Sequence, residues 1–424
     1  MSYSNSIKNI ELEPVYHSNT RTEWRFEPDR IYSTNVLIGL LAVDKTTPSF
    51  YNRLAGSAGM IDNIMLLDGN VELQLQQLAA NWYAWKQTRK SNAHLKDKSP
   101  LLNGSSSGIR YEGDGNKILK DATPDPSNQI KTNTGKTTLP VSDFLSILEA
   151  MPYIDTSVFK NLRLIVEYSM DGVVSDFDGE TLTPERPLLL LEEVVAEQQK
   201  NAMKGKIGNI AFTNIEADRV LLPEITPTAN DSTAAQNLSF HINSYSNKKV
   251  GKMLMVKQTQ SSANYIVGTT DVANGLYNSV GLYKESTQIR VNGGNLFPKS
   301  GIADPNKRLA RLVDTWGSGC LATFANGLPF KAADGVSRAD TVDGGSSKCG
   351  YADWFGCDLG FQEIQDFQFE FGRQGVFNKS TADTANDVGE TAASKYNAAI
   401  DLLLFAETRK VIVMSGSSYN VMYA

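Results

Sequence analysis

Cysteine and histidine are scarce: the 424-residue chain has three of each. Cys320, Cys349 and Cys357 form no C-x-x-C pair and leave one thiol over. That excludes a disulfide framework and fits folding in a reducing compartment. His17, His94 and His241 stand outside any H-x-x-x-H or H-E-x-x-H spacing, so no zinc site is expected. A surplus of positive charge is missing too. Lys and Arg number 41 against 47 Asp and Glu, a net charge of −6, and the densest basic stretch, 86–98, is diluted by Ser, Asn, Asp and His. No specific nucleic-acid binding is expected, because phosphate contacts need clustered cations. The longest apolar runs, near 36–43 and 187–191, fall far short of a membrane span. Residues 1–11 lack an apolar run of signal-peptide length, so the expectation is synthesis in the cytosol.

Familiar catalytic signatures are also lacking. Thr134-Gly135-Lys136-Thr137 resembles the end of a phosphate loop, but Ile130 stands where that loop needs its first glycine. Gly113-Asp114-Gly115 lacks the third glycine of a dinucleotide loop, with Ile118 in its place. Asp176-Phe177-Asp178-Gly179-Glu180 has the acids of a calcium loop without the EF-hand spacing, and reads as a turn between strands. There is no G-x-S-x-G elbow. No catalytic, cofactor-binding or metal-binding residue is assigned and the chain reads as a non-enzyme; acids that meet only in the fold stay open.

What is present is strand. Trp24 and Phe26 alternate with Glu23, Arg25 and Glu27; Leu162, Leu164, Val166 and Tyr168 with Arg163 and Glu167; Phe240 and Ile242 with His241 and Asn243; Phe367, Phe369 and Phe371 with Gln368 and Glu370. A period of two with one apolar face marks half-buried strands. Residues 31–43 read as a longer strand, and 410–414 with 419–423 as a terminal hairpin about Ser415-Gly416-Ser417. Three helices are expected. Val71, Leu75, Leu78, Trp82 and Trp85 share a helical face behind Asn70 as N-cap; a second spans 141–151 between Pro140 and Pro152; a third opens at Asp304-Pro305 and packs through Leu309, Leu312, Val313 and Trp316.

A chain of this length exceeds the roughly 250–300 residues of a single core, so two domains are expected. The division reads as an arm at 1–21, a first domain at 22–196 with an insertion at 91–138, a linker at 197–208, and a second domain at 209–424 with insertions at 331–348 and 378–396. Polar loops this long are uncommon and usually functional, with plain disorder the competing reading. The halves share a plan of strands, tight turn, amphipathic helix and more strands. Asp68-Gly69-Asn70 and Asn292-Gly293-Gly294-Asn295 mark the matching turns.

Several segments, in order, resemble the double jelly-roll major capsid proteins of tectiviruses, adenovirus hexons, virophages and polinton-like viruses. Thr138-Leu139-Pro140-Val141-Ser142-Asp143-Phe144-Leu145 resembles the family's short helix before a strand. Arg186-Pro187-Leu188-Leu189-Leu190-Leu191-Glu192-Glu193 is similar to the last strand of a first barrel, and 210–218 to the first strand of the second. Residues 286–298, with Val291-Asn292-Gly293, and 403–423 resemble a later strand-turn and the closing strands. The resemblance implies an all-β chain of two consecutive eight-stranded jelly rolls with a few short helices. It implies a homotrimer acting as a pseudo-hexameric capsomer of an icosahedral shell, alongside neighbouring capsomers and minor or penton proteins, with an internal membrane beneath as an open option. The arm at 1–21 is then the candidate for inner contacts. Two other readings stand beside it. A receptor- or carbohydrate-binding spike or fibre sandwich would need an aromatic platform, for which Tyr16, Trp24, Tyr351 and Trp354 are available; an all-β glycoside hydrolase would need two spaced acids.

Overall fold

The computed structural model describes residues 6–44, 49–51, 55–90, 102, 136–175, 182–225, 235–259, 285–298, 301–317, 355–374, 399–415 and 418–424. In chain order the first strands are β1 Ile7–Leu12, β2 Tyr16–His17, β3 Arg21–Arg25, β4 Ile31–Tyr32, β5 Leu37–Leu41, β6 Val43–Asp44, β7 Ser49–Tyr51, β8 Ile61–Asp68, β9 Val71–Gln76, β10 Thr137–Pro140, β11 Ile154–Asp155, β12 Leu162–Tyr168, β13 Val173–Ser175, β14 Thr183–Pro184 and β15 Leu188–Val194. Helices α1 Ala79–Thr88, α2 Ile147–Ala150 and α3 Glu197–Met203 accompany them. The later elements are β16 Ile210–Leu222, β17 Ala235–His241, β18 Lys248–Thr259, β19 Ser286–Val291, β20 Gly294–Asn295, helix α4 Pro305–Trp316, β21 Phe355–Ile364, β22 Phe367–Gln374, β23 Ile400–Ser415 and β24 Ser418–Tyr423.

Two units emerge, each with the same strand order. In the first, β15 lies between β1 on one side and β4 with β5 on the other; β5 then pairs β10, and β4 pairs β11. The facing sheet runs β2-β3-β12-β8-β9. Setting aside the short edge strand β2, which folds back antiparallel onto β3, and counting the broken pairs β4/β5 and β10/β11 as single strands, the sheets read 1-8-3-6 and 2-7-4-5. In the second roll the sheets are β16-β23-β18-β21 and β17-β22-β19-β20, again 1-8-3-6 and 2-7-4-5, with β24 added beside β23. That order is the eight-stranded jelly roll of two Greek keys.

The alternating sequences build these sheets because one face of each strand meets the core. Leu162, Leu164, Val166 and Tyr168 point inward from β12 with Trp24 of β3 and Leu66 of β8, while Arg163 turns outward to Glu23 at 3.0 Å. In the second unit Phe367, Phe369 and Phe371 of β22 join Met253, Leu402 and Leu404. Each such side chain contributes about 1.5–3 kcal/mol by leaving water.

Three expectations change. Val71–Gln76 is a strand, not helix: it pairs with β8 from Ile64↔Gln76 to Asp68↔Val71. The helix begins only at Ala79, after Leu78 takes a left-handed backbone with φ 49°. The expected helix at 141–151 is a 3-10 turn, Val141–Asp143, and the single turn of α2. The strand at 31–43 is broken into β4, β5 and β6, with Leu40 turned outward at φ 58°. Helix α4 forms as expected. Asp304 caps it by accepting the Lys307 amide at 3.4 Å, Pro305 takes the first helical position, and Gly317 at φ 85° ends it.

The units do not divide the chain at one cut. The first holds the described residues up to Ile215 together with Thr408–Ala424; the second is Glu216–Glu407. The segment 197–208 thus lies in the first unit, where Tyr153 donates to the Met203 carbonyl at 2.6 Å and the Gly205 amide donates to Asp155 at 2.6 Å. Residues 7–12, read from sequence as part of an arm, are the first strand of the first roll, paired along β15 from Ile7↔Val194 to Leu12↔Leu189.

Candidate functional site

Strands of a jelly roll alternate in direction, so connections 1–2, 3–4, 5–6 and 7–8 share one pole and the others share the opposite pole. In the second unit the first pole carries the roots of 226–234, 260–284, 318–354 and 375–398; the opposite pole carries Ile242–Asn247, Asn292-Gly293 and Gln365-Asp366. The first unit repeats this, with 91–135 rooted at one pole and Gly69-Asn70 and the turn through Asn161 at the other. Long connections on a rigid frame are where binding surfaces sit. The expected insertions at 331–348 and 378–396 lie outside the described residues, as does most of 91–138; Thr137 and Thr138 belong to β10.

The roots themselves are built from buried polar groups. At the base of 260–284, Lys257 near the end of β18 is ion-paired with Glu285, just before β19, and neither side chain is exposed to solvent. Arg308 of α4 comes within 3.6 Å of the same carboxylate and donates to the Ala303 carbonyl at 3.0 Å. Trp316 at the end of α4 donates to the Met253 carbonyl at 3.1 Å beneath the Lys252 ammonium. At the base of 375–398 the buried Arg373 guanidinium donates to the Pro223 carbonyl at 2.6 Å and to Gln236 at 2.8 Å, and burial lowers its pKa to about 10. In the first unit Lys86 of α1 reaches the Asp143 carbonyl at 2.7 Å; burial lowers its pKa, with Asp143 and Glu149 opposing.

The tight-turn pole is clamped by one device in both units. Asp68 accepts the Asn161 amide at 2.6 Å, and Arg163 donates to the Gly69 carbonyl at 2.6 Å. Asn292 accepts the amides of Gln365 and Asp366 at 2.8 and 3.1 Å and donates to the Glu363 carbonyl at 3.0 Å. Each clamp joins the 4–5 hairpin to the turn that starts strand 7. Asn292 and Gly293, at φ 51° and 81°, make the two-residue hairpin turn that needs positive φ at both positions.

Residues weighed for chemistry are dispersed. Thr137, from the phosphate-loop-like run, is buried in β10 and donates to the Leu41 carbonyl at 2.8 Å, and Lys136 pairs with Glu185 at 3.7 Å. His17 is hydrogen-bonded to Thr22 at 2.8 Å, with burial lowering its pKa; His241 lies exposed beside Asp366 at 3.3 Å. His94, Gly113–Gly115, Asp176–Glu180, Cys320 and Cys349 fall outside the described residues. Cys357 is buried, and burial pushes its thiol up to about 12. Among the described residues no group of three or more His, Cys, Asp or Glu side chains could hold a metal ion. Of the aromatics available for a platform, Tyr16 is half exposed, Trp24 is fully buried, and Tyr351 and Trp354 are not described. The buried ion cluster and the clamps were missed in sequence. Only the turn dipeptides Asp68-Gly69 and Asn292-Gly293 marked where the clamps sit.

Taken with the repeated strand order, these features define a double jelly roll: two eight-stranded rolls in one polypeptide. No family model matches the chain, and no curated protein sequence matches it. Solved structures do match it, almost end to end. PBCV-1 VP54, fitted into a reconstruction of the virophage Sputnik, gives a TM-score of 0.57 at 10% identity over 99% of this chain and 97% of that one. The Sputnik virophage structure gives 0.53 at 11%, covering 99% and 88%; the mavirus major capsid protein gives 0.52 at 10%, covering 100% and 90%. The similarity is one of fold, and it is the fold that the resemblance in sequence implied.

Proposed function

We propose that this chain is the major capsid protein of an icosahedral virus and that three copies form a pseudo-hexameric capsomer. The observation that carries the reading is the duplicated roll. Two rolls of one strand order in a single polypeptide give a cyclic trimer six similar wedges. The structural neighbours support it, since they are a mavirus major capsid protein and proteins of the PBCV-1 and Sputnik particles. In this role the chain is a non-enzymatic part of the virion. Its long-connection poles face outward, and its partners are itself, neighbouring capsomers and minor or penton proteins. An internal membrane is a further partner class under this reading.

Light scattering of the purified chain tests the proposal. The expected mass is three times 46.4 kDa, with hexagonal outlines in negative stain and buried interfaces above about 1,000 Å². A strictly monomeric species at high concentration overturns it.

A further inference from the structure

The second roll's first and last strands continue beyond that roll. β16 as far as Ile215 and β23 from Thr408 belong to the first unit, and β24 follows them. Their side chains are part of the first core rather than laid on it: Ile210, Phe212 and Ile412 are buried there, and Met414, Tyr419 and Val421 pack against it. Two side chains, Tyr419 and Lys410, reach the tight-turn pole. Tyr419 donates to Asp68 at 2.6 Å, and its ring meets Phe159 edge-on at 5.1 Å. Lys410 pairs with Glu72 at 3.1 Å while lying 5.2 Å from the Tyr423 ring. The Met414 amide donates to Asn209 at 2.9 Å, and the Thr408 hydroxyl donates to the Asn214 carbonyl at 3.3 Å. Asp68 therefore serves two partners, the clamp amide of Asn161 through one oxygen and the terminal tyrosine through the other.

We infer that Thr408–Ala424 is a closing strap, and that the first roll reaches its stable form only when this segment, which follows the second roll in sequence, seals its tight-turn pole. The first roll's core is incomplete without residues that lie after the whole second roll in sequence. Without the strap the first core loses Ile412, and Phe159 loses the ring of Tyr419 that covers it. Closure of the first roll is thereby coupled to the strand that ends the second roll, independently of what the protein assembles into.

Hydrogen exchange of the full-length protein, read peptide by peptide, tests this. In the unaltered chain, amides of 410–415 and β24 should gain and lose protection with β8 and β12, not with β18 and β21. Ile412→Ala should speed exchange in β8, β12 and β24 by tenfold or more while leaving β18 and β21 unchanged. Tyr419→Phe, which keeps the ring and removes only the hydroxyl, should act in the same places more weakly. If Ile412→Ala loosens the second unit equally or preferentially, or loosens the hairpin alone, the strap does not exist as described. These outcomes do not depend on whether the chain forms trimers.

Discussion

Lys257 and Glu285 form an ion pair with both side chains fully withdrawn from solvent, and Arg308 stands on the other oxygen of the same carboxylate. The arrangement places one acid between two cations at the base of the segment 260–284.

The two ways of breaking this cluster should therefore differ. Lys257→Met leaves an acid with one cation; Glu285→Gln leaves two cations without the acid between them. Loss of one partner of a buried pair costs about 3–5 kcal/mol. Glu285→Gln should lie at the upper end of that range and Lys257→Met at or below the lower. Urea unfolding of the two variants gives the order, and equal losses would contradict the geometry.

Asn292 combines a turn conformation with three hydrogen bonds. Asn292→Gly keeps the positive φ and loses the side-chain bonds; Asn292→Ala loses both. The expected penalties are about 1–2 kcal/mol for Gly, and more for Ala by about 1 kcal/mol, from the lost bonds and the left-handed backbone. Thermal unfolding of both variants separates the contributions. A Gly variant as stable as the parent would mean the clamp contributes nothing.

The first unit should be sensitive to alkali. Tyr32, Tyr168 and Tyr419 all have pKa values raised above 10, in each case first by burial; at Tyr419 the bond to Asp68 adds to it. In the unfolded chain these phenols ionise near 10, so above that pH the folded state holds more protons and stability falls as pH rises. Below pH 10 the effect is absent. Absorbance titration near 295 nm, followed beside circular dichroism, should show these phenols ionising only as structure is lost. Smooth ionisation near pH 10 with the fold intact would refute the assignment.

Cys357 should resist alkylation at pH 8 in the native protein. Its thiol is buried and pushed up to about 12, which leaves almost no thiolate. Site-resolved mass spectrometry after iodoacetamide treatment should find it modified only once denaturant is added.

Strands with one apolar face were legible because a period of two records a single buried side, as at Phe367, Phe369 and Phe371. Val71–Gln76 misled for the opposite reason. Val71 is exposed, whereas Gln74 and Gln76 are buried. Gln74 is held inside by Ser146 and the Ile147 amide at 3.2 and 2.9 Å, partners some seventy residues away. Leu75, Leu78, Trp82 and Trp85 then completed a helical spacing across what is a strand, a left-handed residue and a helix. The terminal hairpin was visible locally, since β23 and β24 pair from Lys410↔Tyr423 to Ser415↔Ser418. Its place in the first roll was not, because no local pattern names the core a strand will enter. Lys257 and Glu285 carry no local signal for the same reason: their pairing exists only after β18 and β19 are brought together.

The separation of long and short connections onto opposite poles has a consequence for how such a chain can vary. Strand register is fixed at the clamped pole by Asp68 and Asn292, so lengthening, trimming or grafting epitopes at the other pole leaves the register untouched. Ornament and chassis can diversify at different rates, and foreign peptides are best displayed at the pole that holds no clamp.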